Sequence, residues 1–317
     1  MKLGLVAAAL SWASVAHAEP RPGAPVKPAE LVERARLEIK PAGHAFTQLS
    51  VDNPLGDVRV EGYDGTSIQI ETRKRAPDAD TLDRLRIALV PAEDGSVRIT
   101  TSVDGGKEVR SVARAAVHVD IVIRAPRKAR VDAATSAGKL SIENLDAGGE
   151  LDSTSGSITA TNVSGELLTH SVSGATSLNQ VFGSVDAATV SSDVELDSIN
   201  GDKLVASANK GKIAGKRVRS RDIELTTTEG RISLEYEVAI HGHLVVSSLH
   251  GDIDVRMHRH GAVAMRARGA RLDLGQPSIL RAGWAQATLG RATDPGDAAA
   301  TVELQSKYGV VSLAVIQ

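Results

Sequence analysis

The chain has 317 residues, no cysteine, 2% aromatic residues and a formal charge of −2 with histidine neutral. Without thiols there are no disulfides, thiolate metal sites or cysteine nucleophiles, and a generalised nucleic-acid binder would be clearly basic. So few Phe, Tyr and Trp also argue against an ordinary globular core of this size, which would bury more of them.

Lys2 followed by apolar Leu3 to Val15 and by Ala16-His17-Ala18 reads as a signal peptide over residues 1–18, cleaved after Ala18. The stretch is shorter than the ~20 apolar residues of a bilayer span, and no later segment is apolar for as long. The mature chain is therefore expected to lack a transmembrane segment and to be exported, either periplasmic or secreted. Loss of Lys2 leaves 36 basic residues against 39 acidic, a formal −3. Residues 19–36 carry Pro20, Pro22, Pro25 and Pro28 and read as a flexible leader.

Residues 37–130 form an irregular N-terminal β region. Gly56-Asp57-Val58-Arg59-Val60, Ser67 to Thr72, Ser96 to Thr100 and Val117 to Ile123 all alternate apolar and polar residues, as half-buried strands do. Asp78 to Arg86 interrupts this as a short helix or loop, and Pro126 ends a strand because it cannot donate to the ladder.

From Val131 to Gln317 a repeat takes over. Its anchors are Gly138, Gly156, Gly174, Ser192, Gly211, Gly230, Gly251 and Ala270, at steps of 18 to 21 residues. Inward candidates fall seven and five before each anchor (Val185 and Ala187, Leu244 and Val246) and two and four after it (Val194 and Leu196, Ile253 and Val255). A third aliphatic often falls seven after: Leu145, Val163, Val181, Ile199, Val218. A period of this kind means a winding chain. The expected fold is all-β, a single-stack β-solenoid with about 18–21 residues and two main strands per coil.

Three residues before the anchor stand Thr135, Ser153, Ser171, Thr189, Ala208, Thr227, Ser248 and Ala267. A small hydroxyl at one corner of nearly every coil can satisfy backbone polar groups at a tight bend. The pattern lapses over about 276–300, read as an insertion or cap, and returns with Val302, Leu304, Ser306, Gly309, Val311 and Leu313 as a closing coil.

The lead-in Leu37-Glu38-Ile39-Lys40-Pro41, the Gly-Asp-Val-Arg-Val segment, the strand ending Ile123-Arg124-Ala125-Pro126 and Thr135-Ser136-Ala137-Gly138-Lys139-Leu140-Ser141-Ile142 together resemble a bacterial family of β-strand repeat domains of unknown function, labelled "putative adhesin". The resemblance covers roughly residues 37–317. It implies a structural repeat and brings no catalytic residue.

Three groups are candidate sites. His241, His243, His258 and His260 pair at two-residue spacing, and counted from their anchors His241 and His260 would stack about 4.8 Å apart on adjacent coils. Imidazoles so placed could hold Zn²⁺, Ni²⁺ or Cu²⁺, against a plain polar turn region. Lys210, Lys212, Lys216, Arg217, Arg219 and Arg221 form a basic stretch that could meet an anionic surface, against a solvated face with acidic neighbours. Asp57, Asp193 and Asp252 share one post-anchor position and Asp254 lies beside the last. A β-helix glycosidase would use acidic pairs, whereas solubilising charge is the plainer reading.

The expectation is a non-enzymatic envelope protein with no cofactor, adhesin-like in binding or scaffolding. Its partners would be envelope polysaccharide or another envelope protein, and not nucleic acid. A polysaccharide-active β-helix enzyme and a periplasmic metal-binding protein using the His241–His260 cluster are the alternatives.

Overall fold

The computed structural model describes residues 11–12, 30–41, 43–105, 117–290 and 299–316. Apart from Ser11–Trp12, the expected signal peptide lies outside them, as do the leader up to residue 29 and residues 291–298 of the expected insertion. Among the described residues the regular structure is strand throughout, apart from one five-residue helix. No helix among the described residues is long and apolar enough to cross a membrane. The chain divides into two compact units, residues 1–156 and 157–317.

In the first unit the elements are β1 (Ser11–Trp12), β2 (Leu31–Ile39), β3 (Gln48–Asn53), β4 (Val58–Tyr63), β5 (Ile68–Ala76), α1 (Ala79–Asp83), β6 (Leu85–Pro91), β7 (Ser96–Val103), β8 (His118–Pro126), β9 (Arg130–Thr135), β10 (Leu140–Leu145) and β11 (Gly149–Ser153). They make two walls. One runs β2, β5, β8, β4, β10, and the other β6, β7, β3, β9, β11. Pairings are parallel from β8 to β10 and from β7 to β11, and antiparallel beyond. Ser11 and Trp12 pair antiparallel with Arg36 and Ala35. Alternate residues are buried on both walls: Leu49, Val51, Val97, Ile99 and Val131 on one, Val58, Val60, Ile121, Ile123 and Ile142 on the other. Asp78 starts α1 by accepting the Thr81 N–H, a helix cap.

The second unit contains β12 (Ile158–Ser164), β13 (Leu167–Ser171), β14 (Thr176–Phe182), β15 (Val185–Thr189), β16 (Val194–Lys210), β17 (Ile213–Glu229), β18 (Ile232–Glu237), β19 (His243–Ser248), β20 (Ile253–His258), β21 (Val263–Arg268), β22 (Arg271–Asp273), β23 (Ile279–Arg281), β24 (Trp284–Leu289), β25 (Ala300–Ser306) and β26 (Val310–Ile316). Successive coils lie parallel and in register. On one wall Ile158, Thr176, Val194, Ile213, Ile232, Ile253 and Val311 form a column, and on the other Leu167, Val185, Leu204, Ile223, Leu244 and Val302 do. Both columns point into the core and are at most 3% exposed.

The corner hydroxyls behave as their spacing suggests. Ser171 Oγ accepts the Gly174 N–H at 2.9 Å and donates to the Gly174 carbonyl at 2.6 Å. Ser248 accepts the Gly251 N–H, and Ser306 accepts the Gly309 N–H. All are buried, so each hydroxyl removes a donor that the bend would otherwise strand away from water. Two members were not evident in the sequence. Asn53 and Thr101 hold the same corner in the first unit, joined at 2.6 Å.

Coil order departs from the sequence. The expected stacking of the Ala270 coil on the Gly251 coil does not occur. β25 lies between β19 and β21, and β26 between β20 and β22. Gly309 packs closely in this seat on the Gly251 coil, where a Cβ would collide with the Gly251 oxygen. The closing coil is held there by the Ser306 hydroxyl, which donates to the Gly251 carbonyl, and by the Val310 N–H, which donates to Asp252. The displaced β21 pairs with β25 two residues out of the expected phase, Met265 opposite Val302, which preserves the inward face. Its other side is covered by an antiparallel β23–β24 hairpin, within the expected insertion. In the first unit, likewise, β4 lies between β8 and β10 although β8 follows it in sequence.

Candidate functional site

One concavity in the second unit collects several of the singled-out residues. It has a volume of about 610 Å³ and is lined by Gln180, Phe182, Ser198, Arg217, Arg219 and Glu237, with Asn200, Glu235, His258 and His260 completing its polar surface.

A change in coil length makes it. In the earlier coils the inward residues four and seven after the anchor are separated by two residues, as in Ala160 and Val163 or Leu178 and Val181. Strict alternation allows one, so the extra residue turns the chain through the left-handed region: Asn162, Gln180, Ser198 and Arg217 all have φ between 52° and 58°. Asn144, in the first unit, does the same. In the following coil Leu234 and Tyr236 are separated by one residue, and no left-handed residue is needed. The register slips at that point, with Gly215 opposite Leu234 and Val218 opposite Tyr236. Tyr236 sinks into the core, its hydroxyl donating to Met257 Sδ at 3.2 Å, and burial pushes its ionisation up. The groove opens where the long coils meet the short ones. That spacing change was visible in the sequence.

Along the groove Phe182, Asn200 and Arg219 stand in register on adjacent strands, about 4.8 Å apart. Phe182 is 48% exposed. Arg219 Nε bonds Glu237 Oε2 at 2.5 Å, and His260 Nε2 lies 2.9 Å from Glu237 Oε1. These two partners, His260 foremost, hold the Glu237 carboxyl below the usual range. His258 Nε2 lies 3.7 Å from Glu235 Oε1. Arg217 is bonded to Asp197 and, at 2.9 Å, to Ser198 Oγ. The two arginines and two glutamates lining the groove balance in charge.

The four histidines are thus divided. His258 and His260 line the groove with glutamate partners. His243 Nδ1 lies 2.6 Å from Thr301 Oγ1 on the interposed strand, and His241 sits in an exposed turn with φ 57°. Stacking of His241 over His260 on adjacent coils is excluded, because β25 separates the strands that follow them. Three metal-compatible side chains do come within 4.8 Å of one another in the first unit: Asp57, His118 and Asp120. Arg75, 3.1 Å from Asp120, supplies a positive charge there already.

The basic stretch is dispersed over both walls and mostly paired. Lys210 faces Glu229, Arg217 and Arg219 face Asp197 and Glu237, and Arg221 lies between Asp202 and Asp222. Lys212 and Lys216 are exposed. The repeated aspartates have a structural task. Asp57 Oδ1 accepts the Lys139 N–H, Asp193 Oδ1 that of Lys212, and Asp252 Oδ1 that of Val310, each at 2.8–2.9 Å and each on the coil stacked above. Nothing brings these three together as a catalytic pair.

Residues 46–271 match the family described as Toastrack DUF4097. No curated protein sequence matches the chain significantly. Among solved structures it is similar to a "putative adhesin" from Parabacteroides merdae at 12% identity and TM-score 0.47, covering 90% of this chain and 96% of that one. A "putative lipid binding protein" from Parabacteroides distasonis is similar at 13% and 0.40, over 90% and 97% of the two chains. A "putative adhesin" from Bacteroides fragilis is similar at 15% and 0.36, over 92% and 100%. At these scores the likenesses carry no functional argument.

Proposed function

The chain belongs to the Toastrack DUF4097 family, and on that premise we propose that it is an exported, non-enzymatic cell-envelope protein that binds or scaffolds, adhesin-like, through its strand faces. The observation that carries this reading is the pairing of the charged groups in the groove. Arg217 is bonded to Asp197. Glu237 is engaged by Arg219 at 2.5 Å and by His260 at 2.9 Å. The groove it lines is charge-balanced rather than acidic. Its charged groups are fixed in pairs on a parallel ladder, and a rigid, repetitive polar surface of this kind suits recognition.

Export is tested by expressing the full chain and sequencing the N-terminus of the product, which should begin at Glu19. Binding is tested by incubating labelled mature chain with isolated cell envelopes. Saturable retention is the expected result. No retention, together with no envelope phenotype on deletion, would overturn the reading.

A further inference from the structure

We propose that the groove between Phe182 and His260 is a binding site for a neutral, hydroxyl-rich saccharide chain. The inference rests on the non-enzymatic binding reading and deepens it. Three features of the lining point to this chemistry.

The first is charge. Arg217 and Arg219 are bonded to Asp197 and Glu237, and His260 lies against Glu237. An anionic ligand would be brought against Glu235 and Glu237, and a cation against Arg217 and Arg219. A neutral ligand meets neither repulsion. The paired groups still offer it N–H donors and unused carboxylate lone pairs, since a carboxylate accepts up to about four hydrogen bonds.

The second is the row of side chains. Phe182 presents an exposed ring, which can cover the apolar face of a sugar. The next strand offers the Asn200 amide, and Gln180 lines the same groove. An amide both donates and accepts, as a hydroxyl-bearing partner requires. The following strand offers the Arg219–Glu237 pair. An aromatic platform, an amide and a fixed ion pair thus follow one another at the strand spacing of about 4.8 Å, close to the length of one sugar unit. The row suits a chain of about three units lying across the strands.

The third is rigidity. The row stands on in-register parallel strands whose inward residues Val181, Ile199 and Val218 are fully buried, so little ordering is left to oppose binding.

The test uses the full mature chain and four probes: cellotriose, maltotriose, tri-N-acetylchitotriose and, as the anionic comparison, tri-galacturonate. Binding is read by calorimetry and by the ring resonances of Phe182, one of two phenylalanines in the chain, the other, Phe46, being buried. At least one neutral trisaccharide is expected to bind and to perturb the Phe182 ring, with an affinity unchanged by added salt. Phe182→Ala should weaken it roughly tenfold, whereas Tyr308→Ala, outside the groove, should not. Thermal melting establishes that the variants are folded, and Asn200→Ala provides a second folded variant with a smaller loss.

Binding of tri-galacturonate alone, weakened by salt, would overturn the proposal. So would an absence of binding to all four, or neutral binding untouched by both groove variants. If envelopes retain the wild type and Phe182→Ala equally, the groove is wrong while the binding reading stands. If the bound trisaccharide is cleaved, the groove stands and the non-enzymatic reading falls.

Discussion

The Ser306 hydroxyl donates to the carbonyl of Gly251 at 2.8 Å, across 55 residues of chain. That bond fixes the closing coil on top of the Gly251 coil and keeps the intervening residues out of the seat. Gly309 makes the approach possible, because a Cβ there would meet the Gly251 oxygen. Gly309→Ala should therefore destabilise the protein by about 1–3 kcal/mol through overpacking. Ala270→Gly, outside the seat, should change stability by less than about 0.5 kcal/mol. Urea denaturation of the two variants checks the contrast, and equal midpoints would contradict the steric account.

A second expectation concerns acid. Asp252 accepts the Val310 N–H and is bonded to Arg231, which hold its carboxyl below the usual range, the backbone bond foremost. Its folded pKa is thus lower than its unfolded value of about 3.9. The contribution is fully present above about pH 4 and disappears as pH falls through the lowered folded value. Because the side chain is partly exposed, Asp252→Ala should cost only about 1 kcal/mol at neutral pH. The variant should also lose less stability than wild type between about pH 4 and pH 2, measured by denaturant titration at each pH.

The core holds a removable defect. Thr176 is 1% exposed in the column between Ile158 and Val194, and its hydroxyl has no hydrogen-bond partner among the described residues. Thr176→Val keeps the shape and removes the buried polar atom. It should raise stability by about 1 kcal/mol, seen as a higher melting temperature in calorimetry. A lower one would mean that the hydroxyl is satisfied.

Zinc should find no joint site on His241, His243, His258 and His260, since two line the groove on glutamates, one bonds Thr301 and one sits in a turn. Zn²⁺ titration of wild type should match that of a His258→Ala, His260→Ala double variant. A tight one-to-one heat lost in the double variant would reverse this.

Much of the repeat was legible because each coil restates it. The inward Val, Leu and Ile positions and the corner hydroxyls recur in phase, and Ser171, Ser248 and Ser306 bond where their spacing put them. Asn53 and Thr101 escaped notice because they belong to coils without the regular spacing, and one is an amide. Coil order was not legible from period alone, since any two coils of equal phase are compatible. It is set by bonds between residues far apart in the chain, Ser306 with Gly251 and Val310 with Asp252. For the candidate groove, His258, His260, Arg217 and Arg219 were singled out, but as members of separate groups. Phe182 and Glu237 were not noticed, because what joins them to the rest is the shortened step from Leu234 to Tyr236.

The interposed closing coil also sets a schedule for folding. Among the described residues β21 finds its parallel partner only in β25, whose last residue is Ser306. Until that point in the chain is available, residues 263–268 have only their own antiparallel hairpin to pair with. Coils up to Gly251 can assemble one on another as they emerge, but the final two must be placed together, and the later one enters first. Assembly of this unit should therefore end in a slow step of long loop closure, during which the Gly251 coil presents a bare parallel edge to any neighbouring chain.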